Sequence, residues 1–173
     1  MCCTGCNGRR PERWLPAFEQ GHIVAGSIRP ASIDDLPEIQ RIVRDAYIKY
    51  VERIGKPPAP MLDDYSKHIL AHEAWVIQDG SGIEGVLILV PNTDHLLLDN
   101  VAVDPRFHGK GIGRALIEFA EREAARRGYD EIRLFTHRKM HENLLMYPRL
   151  GYEETGRGMQ DGFDRVFFRK QIG

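Results

Sequence analysis

The stretch Asn100-Val101-Ala102-Val103-Asp104-Pro105-Arg106-Phe107-His108-Gly109-Lys110-Gly111-Ile112-Gly113-Arg114 leads a β-rich run through three alternating glycines into a helical run. Glycines at such a junction let the backbone turn tightly and let a ligand touch amide N–H groups. A helix N-terminus adds unpaired donors and a partial positive charge, and together these suit an anion. Lys110 and Arg114 set cationic side chains beside the turn. Phosphate is the natural ligand for that combination. The loop is not a Walker A motif, because no Gly-Lys-Ser/Thr follows a four-residue spacer. A dinucleotide fingerprint needs a glycine where Arg114 stands, and an acid at the end of the next strand. Asp130 and Glu131 instead begin that strand.

The surrounding pattern shows what holds the turn. Residues 22–29 read as a first strand. Ser32 and Asp34 offer N-caps, Pro37 fits a first helical turn, and apolar residues recur at helical period from Leu36 to Val51. Gly55 and the stiff Lys56-Pro57-Pro58-Ala59-Pro60 run end that helix, and a short second helix is expected within Met61 to His72. Three β-rich runs follow, Ala74 to Asp79, Gly85 to Val90 and His95 to Val103, separated by turn-forming residues. A helix from Gly111 to Arg127, a strand from Glu131 to Thr136, a short helix from His141 to Leu150 and a hairpin around Asp161-Gly162 complete the reading. The only parallel crossover expected runs from His95 to Thr136. The fold class is therefore mixed α/β, with a mostly antiparallel sheet, rather than doubly wound.

At 173 residues the chain is expected to form one domain, residues 26–173, behind a flexible tail of residues 1–25. The net charge of −1 argues against a general nucleic-acid partner, and the longest apolar run, Val86 to Val90, is too short to span a bilayer. That near-neutral total is divided. Residues 1–105 hold 10 basic and 15 acidic side chains, whereas residues 106–149 hold 10 and 6. Such a division suits an anionic ligand at the glycine turn and a cationic one on the acidic side. All three cysteines (Cys2, Cys3 and Cys6) lie in the tail. No metal site is expected from them, and the thiol-free body fits a reducing cytoplasm.

Two segments resemble signatures of the GNAT acyltransferases, which use acetyl-coenzyme A. His108-Gly109-Lys110-Gly111-Ile112-Gly113 is similar to the family's [Gln/Arg]-x-x-Gly-x-[Gly/Ala] loop, with His108 in place of Gln or Arg. Tyr147-Pro148-Arg149-Leu150-Gly151-Tyr152 is similar to its Tyr-x-x-x-Gly-[Phe/Tyr] segment. The order of elements matches from about Gly26 to Ile172. The resemblance implies that acetyl-coenzyme A is the co-substrate and that the fold is a mostly antiparallel sheet with one parallel β4–β5 pair and about four helices. Its pyrophosphate would lie on the backbone of His108, Gly109, Lys110, Gly111, Ile112, Gly113 and Arg114. Its pantetheine arm and thioester would lie along a splayed fourth strand, at Val101, Ala102 and Val103. The family often carries an Asn seven residues before the Tyr. Met140 stands there in this chain, and Asn143, four before, is the residue that could take the role or else serve the helix surface.

The same resemblance makes Tyr147 the acid that covers the departing thiolate. Asp99 is the first candidate base, expected on the strand face of Val101 and Val103, unless a β-bulge turns Asn100 inward. His95, His137 and His141 are further candidates, and a water relay would leave no single base. The acceptor, a small-molecule or peptide amine, is expected between the first helices and the final hairpin, near Tyr47, Tyr50, Pro57 to Pro60, Tyr65 and Asp161 to Asp164. The implied reaction is direct attack in a ternary complex, by a cytoplasmic monomer or homodimer. A coenzyme A-binding module without catalysis and a nucleotide-binding α/β protein are the alternative readings.

Overall fold

The structure, a computed structural model, describes residues 26–173. The cysteine-bearing tail and the first residues of the expected opening strand lie outside them. Strand β1 spans Ser27–Pro30, helix α1 Leu36–Ile54 and helix α2 Tyr65–Leu70. Strands β2 (Ala74–Asp79), β3 (Gly82–Pro91) and β4 (Leu96–Val103) follow, then helix α3 (Ile112–Arg126), β5 (Glu131–His137), helix α4 (His141–Arg149), β6 (Glu153–Gln160) and β7 (Phe163–Gln171). Short 3-10 turns precede α1, α2 and the glycine loop. Ser32 caps the first of these turns, and Asp35, not Asp34, stands at the N-cap of α1. Gly55 ends α1 in the left-handed conformation, with φ of 91°.

Among the described residues, seven strands form one sheet in the order β1-β2-β3-β4-β5-β7-β6, and β4–β5 is the only parallel pair. The expected mixed α/β architecture is thus the observed one. One face carries α1 and α2 over Val76, Val86, Ile88 and Ala102, with Ile39, Ile42 and Tyr65 of the helices buried against them. The other carries α3 and α4 over Leu87, Leu89, Leu98 and Leu134, with Leu116, Ile117 and Tyr147 buried. Burying each such Leu or Ile contributes about 1.5–3 kcal/mol, so two helix layers anchor the sheet from both sides. No helix among the described residues is long and apolar enough to cross a membrane.

Two irregularities of β4 shape the centre of the molecule. Ile88 pairs with Asn100 but Leu89 pairs with Leu98, so Asp99 is an extra residue, a β-bulge. Parallel pairing of β4 with β5 covers only Leu96–Leu98 against Ile132–Leu134, although the strands continue to Val103 and His137. Beyond the bulge they diverge. The edge of β4 from Asp99 onward therefore has no β5 partner and faces an opening in the sheet.

Candidate active site

Two cavities meet in that opening. The first, of about 50 Å³, lies between the parted strands and the 58–60 loop, and its walls include Tyr47, Asp99, Phe135, His137, Phe163 and Arg165. The second is a groove of about 320 Å³ that runs from Val101–Val103 to His108, Gly109, Gly111 and Gly113. Tyr47, Val101, Asn143 and Tyr147 line both. The smaller space suits a small reacting end, while the groove is large enough for an extended ligand.

The glycine turn has the conformation its composition predicts. Gly109 and Gly111 have φ of 78° and 80°, in the left-handed region that side chains avoid. Gly111 is the N-cap of α3, so the first amides of the helix have no earlier helical carbonyl to meet. The amides of His108 and Lys110 are spent within the turn, on Pro105 O at 3.3 Å and Phe107 O at 3.4 Å. His108 is tied back to the strand end by Nε2, 3.2 Å from Val103 O. The local cationic excess is smaller than the sequence suggests. Beside the turn itself, Arg114 pairs with Glu118 at 2.8 Å. Backbone donors and Lys110 are left to attract an anion.

Asp104 was missed by sequence reasoning. Its side chain is 1% exposed and pairs with both Arg41 of α1 and Arg106. The two guanidiniums, Arg106 first, hold its carboxyl far below the usual carboxylate range. It also accepts from Arg106 N at 2.9 Å, which starts the turn towards the glycines. An Asp-Pro-Arg run at a strand end carries the capping signal that could have revealed it.

Tyr147 reaches the junction from α4 and is 3% exposed. Its ring lies 5.8 Å from Tyr152 and 5.6 Å from Phe168. Burial pushes its hydroxyl well above the ordinary phenol range, so it keeps its proton at neutral pH. Asn143, one turn earlier, donates from Nδ2 to Thr136 Oγ1 at 3.0 Å, which fixes the amide at the junction. Met140, at the expected Asn position, is the N-cap of α4 and is buried, 3.6 Å from Thr136 Oγ1.

The bulge changes the expected face of Asp99. Val101 and Val103 pack on the α3 side, but Asp99 turns towards α2, where one of its oxygens lies within 4.8 Å of ligand atoms of Asp63 and His68. Burial, with Asp63 nearby, raises its pKa above the ordinary 3.8. Asn100 is turned inward, as a bulge allows. It accepts from Tyr47 O–H at 2.6 Å and donates to Tyr65 Oη at 2.8 Å, and Tyr65 in turn donates to Pro60 O at 2.8 Å. His68 is held between Asp63 (3.1 Å) and Glu73 (2.7 Å), which raise its pKa to about 9. Both ring nitrogens are donors there, so the Asp63–His68–Asp99 group reads as an ion-pair cluster and not as a metal centre.

Of the histidines considered as bases, only His137 lines the junction cavity. Lys139 N donates to its Nδ1 at 3.1 Å, and burial lowers its pKa, so the neutral ring carries its hydrogen on Nε2. Tyr47 and the 58–60 loop line the junction cavity, whereas Tyr65 supports Asn100 and Pro60 from behind it. In the final hairpin, Phe163 and Arg165 line the cavity. Asp164 instead faces Arg138 at 3.5 Å. Alternation along β7 was the signal that could have placed Phe163 and Arg165 on one face.

Comparison with known proteins points one way. Residues 71–154 match the acetyltransferase (GNAT) domain family. Rat N-acetyltransferase family 8 member 2 is 25% identical over 105 residues, covering 57% of this chain and 46% of the relative. YrkN, an uncharacterised protein of Bacillus subtilis, is 33% identical over 91 residues, 48% of this chain and 49% of its own. The matches thus span about half the length of these curated relatives. Among solved structures, the PaiA N-acetyltransferase of Thermoplasma acidophilum, in complex with coenzyme A, superposes with a TM-score of 0.70 at 22% identity, over 84% of this chain and 98% of that one. The ribosomal-protein-S18-alanine N-acetyltransferase of Escherichia coli gives 0.65 at 21% identity, over 85% and 94%. The fold is that of these enzymes.

Proposed function

We propose, for a chain that carries a GNAT acetyltransferase domain, that it transfers an acetyl group from acetyl-coenzyme A directly to an amine held in the same ternary complex. The observation that carries this reading is the meeting of a groove and a small cavity at Tyr47, Val101, Asn143 and Tyr147. The groove begins at left-handed glycines and a helix N-terminus, a cradle for pyrophosphate, and ends at an unpaired strand edge that can bind a pantetheine arm. The cofactor-binding set is Val101, Ala102 and Val103 through backbone, Gly109, Gly111, Ile112, Gly113 and Arg114 through the amides of the turn, the Lys110 and His108 side chains beside it (their own amides being engaged within the turn), and Asn143 at the junction. Ala102 contributes backbone only, because its side chain is buried against α1.

The chemistry needs a neutral amine, a stabilised carbonyl oxygen and a covered thiolate. Asp99, its basicity raised by burial, takes the amine proton. The β4 edge beyond the bulge supplies backbone donors to the carbonyl oxygen. The Tyr147 hydroxyl, too weak an acid to ionise freely, donates a hydrogen bond to the thiolate as the C–S bond breaks. The N–C bond forms as the C–S bond breaks, and the proton taken by Asp99 returns through solvent to the thiolate, so coenzyme A leaves as the free thiol. Calorimetry with acetyl-coenzyme A, followed by thiol release over an amine panel, tests the reading. Submicromolar ATP binding with none for acetyl-coenzyme A would overturn it, and acetyl-coenzyme A binding without turnover of any amine would leave a binding module.

A further inference from the structure

Arg165 is a buried cation that the reaction above does not use. It sits on β7 with its side chain 8% exposed, and its guanidinium lies 3.8 Å from the Phe135 ring centroid. Among the described residues its polar contacts are long: Gln160 Oε1 at 3.5 Å and Asp161 Oδ2 at 3.6 Å. A guanidinium has five N–H donors, and burying one with so few acceptors is costly unless something else supplies them. Arg165 lines the small cavity at the junction and a second one beside it, and Asp99 lines both as well. Asp99 and Arg165 therefore share one confined space without pairing within 4 Å, since Asp161 is the acid paired with Arg165 among the described residues.

Resting on the acetyltransferase reading, we propose that the acceptor is a compact zwitterion, an amine with a carboxylate a few bonds away, whose carboxylate is held by Arg165 while its amine faces Asp99. The cavity holds one acid and one base in the pattern complementary to an amino acid's ammonium and carboxylate. A forked guanidinium backed by an aromatic face is suited to bidentate carboxylate recognition. The neutral His137 adds no charge of its own at the junction. The same arrangement disfavours polyamines, whose second cation would meet Arg165 in a site of low dielectric. The acidic surroundings expected from the sequence thus give way at the junction to a mixed pair of charges.

The test uses the full chain and matched acceptors. Acetyl-coenzyme A binding is measured first by calorimetry; its absence overturns the underlying acetyltransferase reading rather than the acceptor class. With binding present, thiol release is compared for the L-amino acids, their amides and their decarboxylated amines. The expected result is that at least one amino acid exceeds its amide and its amine about 10- to 100-fold in kcat/KM, a range set by charge-assisted hydrogen bonds. In Arg165→Gln that preference collapses towards unity, and Arg165→Lys restores part of it. The wild-type ratio stands even if Arg165→Gln fails to fold. With acetyl-coenzyme A bound, no amino acid outperforming its amide, or a preference that survives in a folded Arg165→Gln protein, overturns the proposal.

Discussion

Tyr47 donates to Asn100 Oδ1 at 2.6 Å, a bond that fastens helix α1 to strand β4 one residue beyond its bulge. The Asn100 amide carries the link on to Tyr65, whose hydroxyl holds the loop at Pro60. A residue only 3% exposed therefore ties together helix α1, strand β4 and the 58–60 loop around the junction cavity.

Asn100→Ala leaves the Tyr47 hydroxyl without its short acceptor and frees Tyr65. The expected loss is about 1–3 kcal/mol of unfolding free energy, the cost of stranding buried polar groups. Urea unfolding measures it. The loss should come with weaker acceptor use, and a midpoint equal to wild type would show that the bond does not organise the site.

Tyr147→Phe removes one hydroxyl and keeps the ring that packs on Tyr152 and Phe168. Because the ring packing is kept, stability should fall by no more than about 1 kcal/mol, the net worth of one hydroxyl's hydrogen bonding. Turnover should fall about 100-fold, at the low end of general acid contributions, with acetyl-coenzyme A affinity unchanged. A full-speed Tyr147→Phe enzyme on a good acceptor would remove Tyr147 from the mechanism.

The glycine turn and the aromatic end of α4 were legible in the sequence, because their conformations are local. Gly109 and Gly111 take left-handed backbone at no steric cost, which suits a tight turn, and the Tyr147 segment announces its own helix stop at Gly151. The periodicity also placed every helix and strand among the described residues to within a few positions. Asp99 was harder. Its face depends on a single extra residue in β4, and a slip of one position reverses which side of a strand a residue serves. Arg165 was only partly legible for a related reason: alternation sets it on the face of Phe163 but does not say what that face meets. Its place at the cavity comes from the register of β7 against β5, where Thr136 meets Val166 and His137 meets Arg165, pairings far apart in the chain. The Asp104 turn with Arg106 is local, but its pair with Arg41 joins residues 63 positions apart, which no local pattern encodes.

Gly113→Glu probes the pyrophosphate cradle with little harm to the fold. A Cβ at Gly113 would meet Val103 Cγ2 at 3.5 Å, an ordinary contact, and the residue lies outside the positive-φ glycines. The added carboxylate would sit in the first turn of α3, where the phosphates are proposed to bind. Acetyl-coenzyme A affinity should fall at least about 100-fold, from two unfavourable charges brought close together. Unchanged calorimetric affinity in a folded Gly113→Glu protein would contradict the placement.

Asp99 and His68 should give different pH signatures, because their shifts act on different quantities. Asp99 serves as a base only when ionised, and burial raises its pKa above 3.8, so kcat/KM should decline on the acid side as pH falls through that raised value. Asp99→Asn should remove this limb along with most of the rate. His68 affects stability instead. Asp63, first, and Glu73 raise its pKa from 6.5 to about 9 in the folded protein. The folded state thus binds the His68 proton more tightly than the unfolded chain does. Its stabilisation is complete below pH 6.5 and is lost as pH rises through 9. Partial solvent screening keeps the contribution to about 1 kcal/mol. His68→Gln should therefore cost most at pH 6 and least at pH 10, read as the difference between thermal unfolding midpoints. A difference that grows with pH would show that His68 is held neutral, and would place the proton elsewhere in the Asp63–His68–Glu73 group.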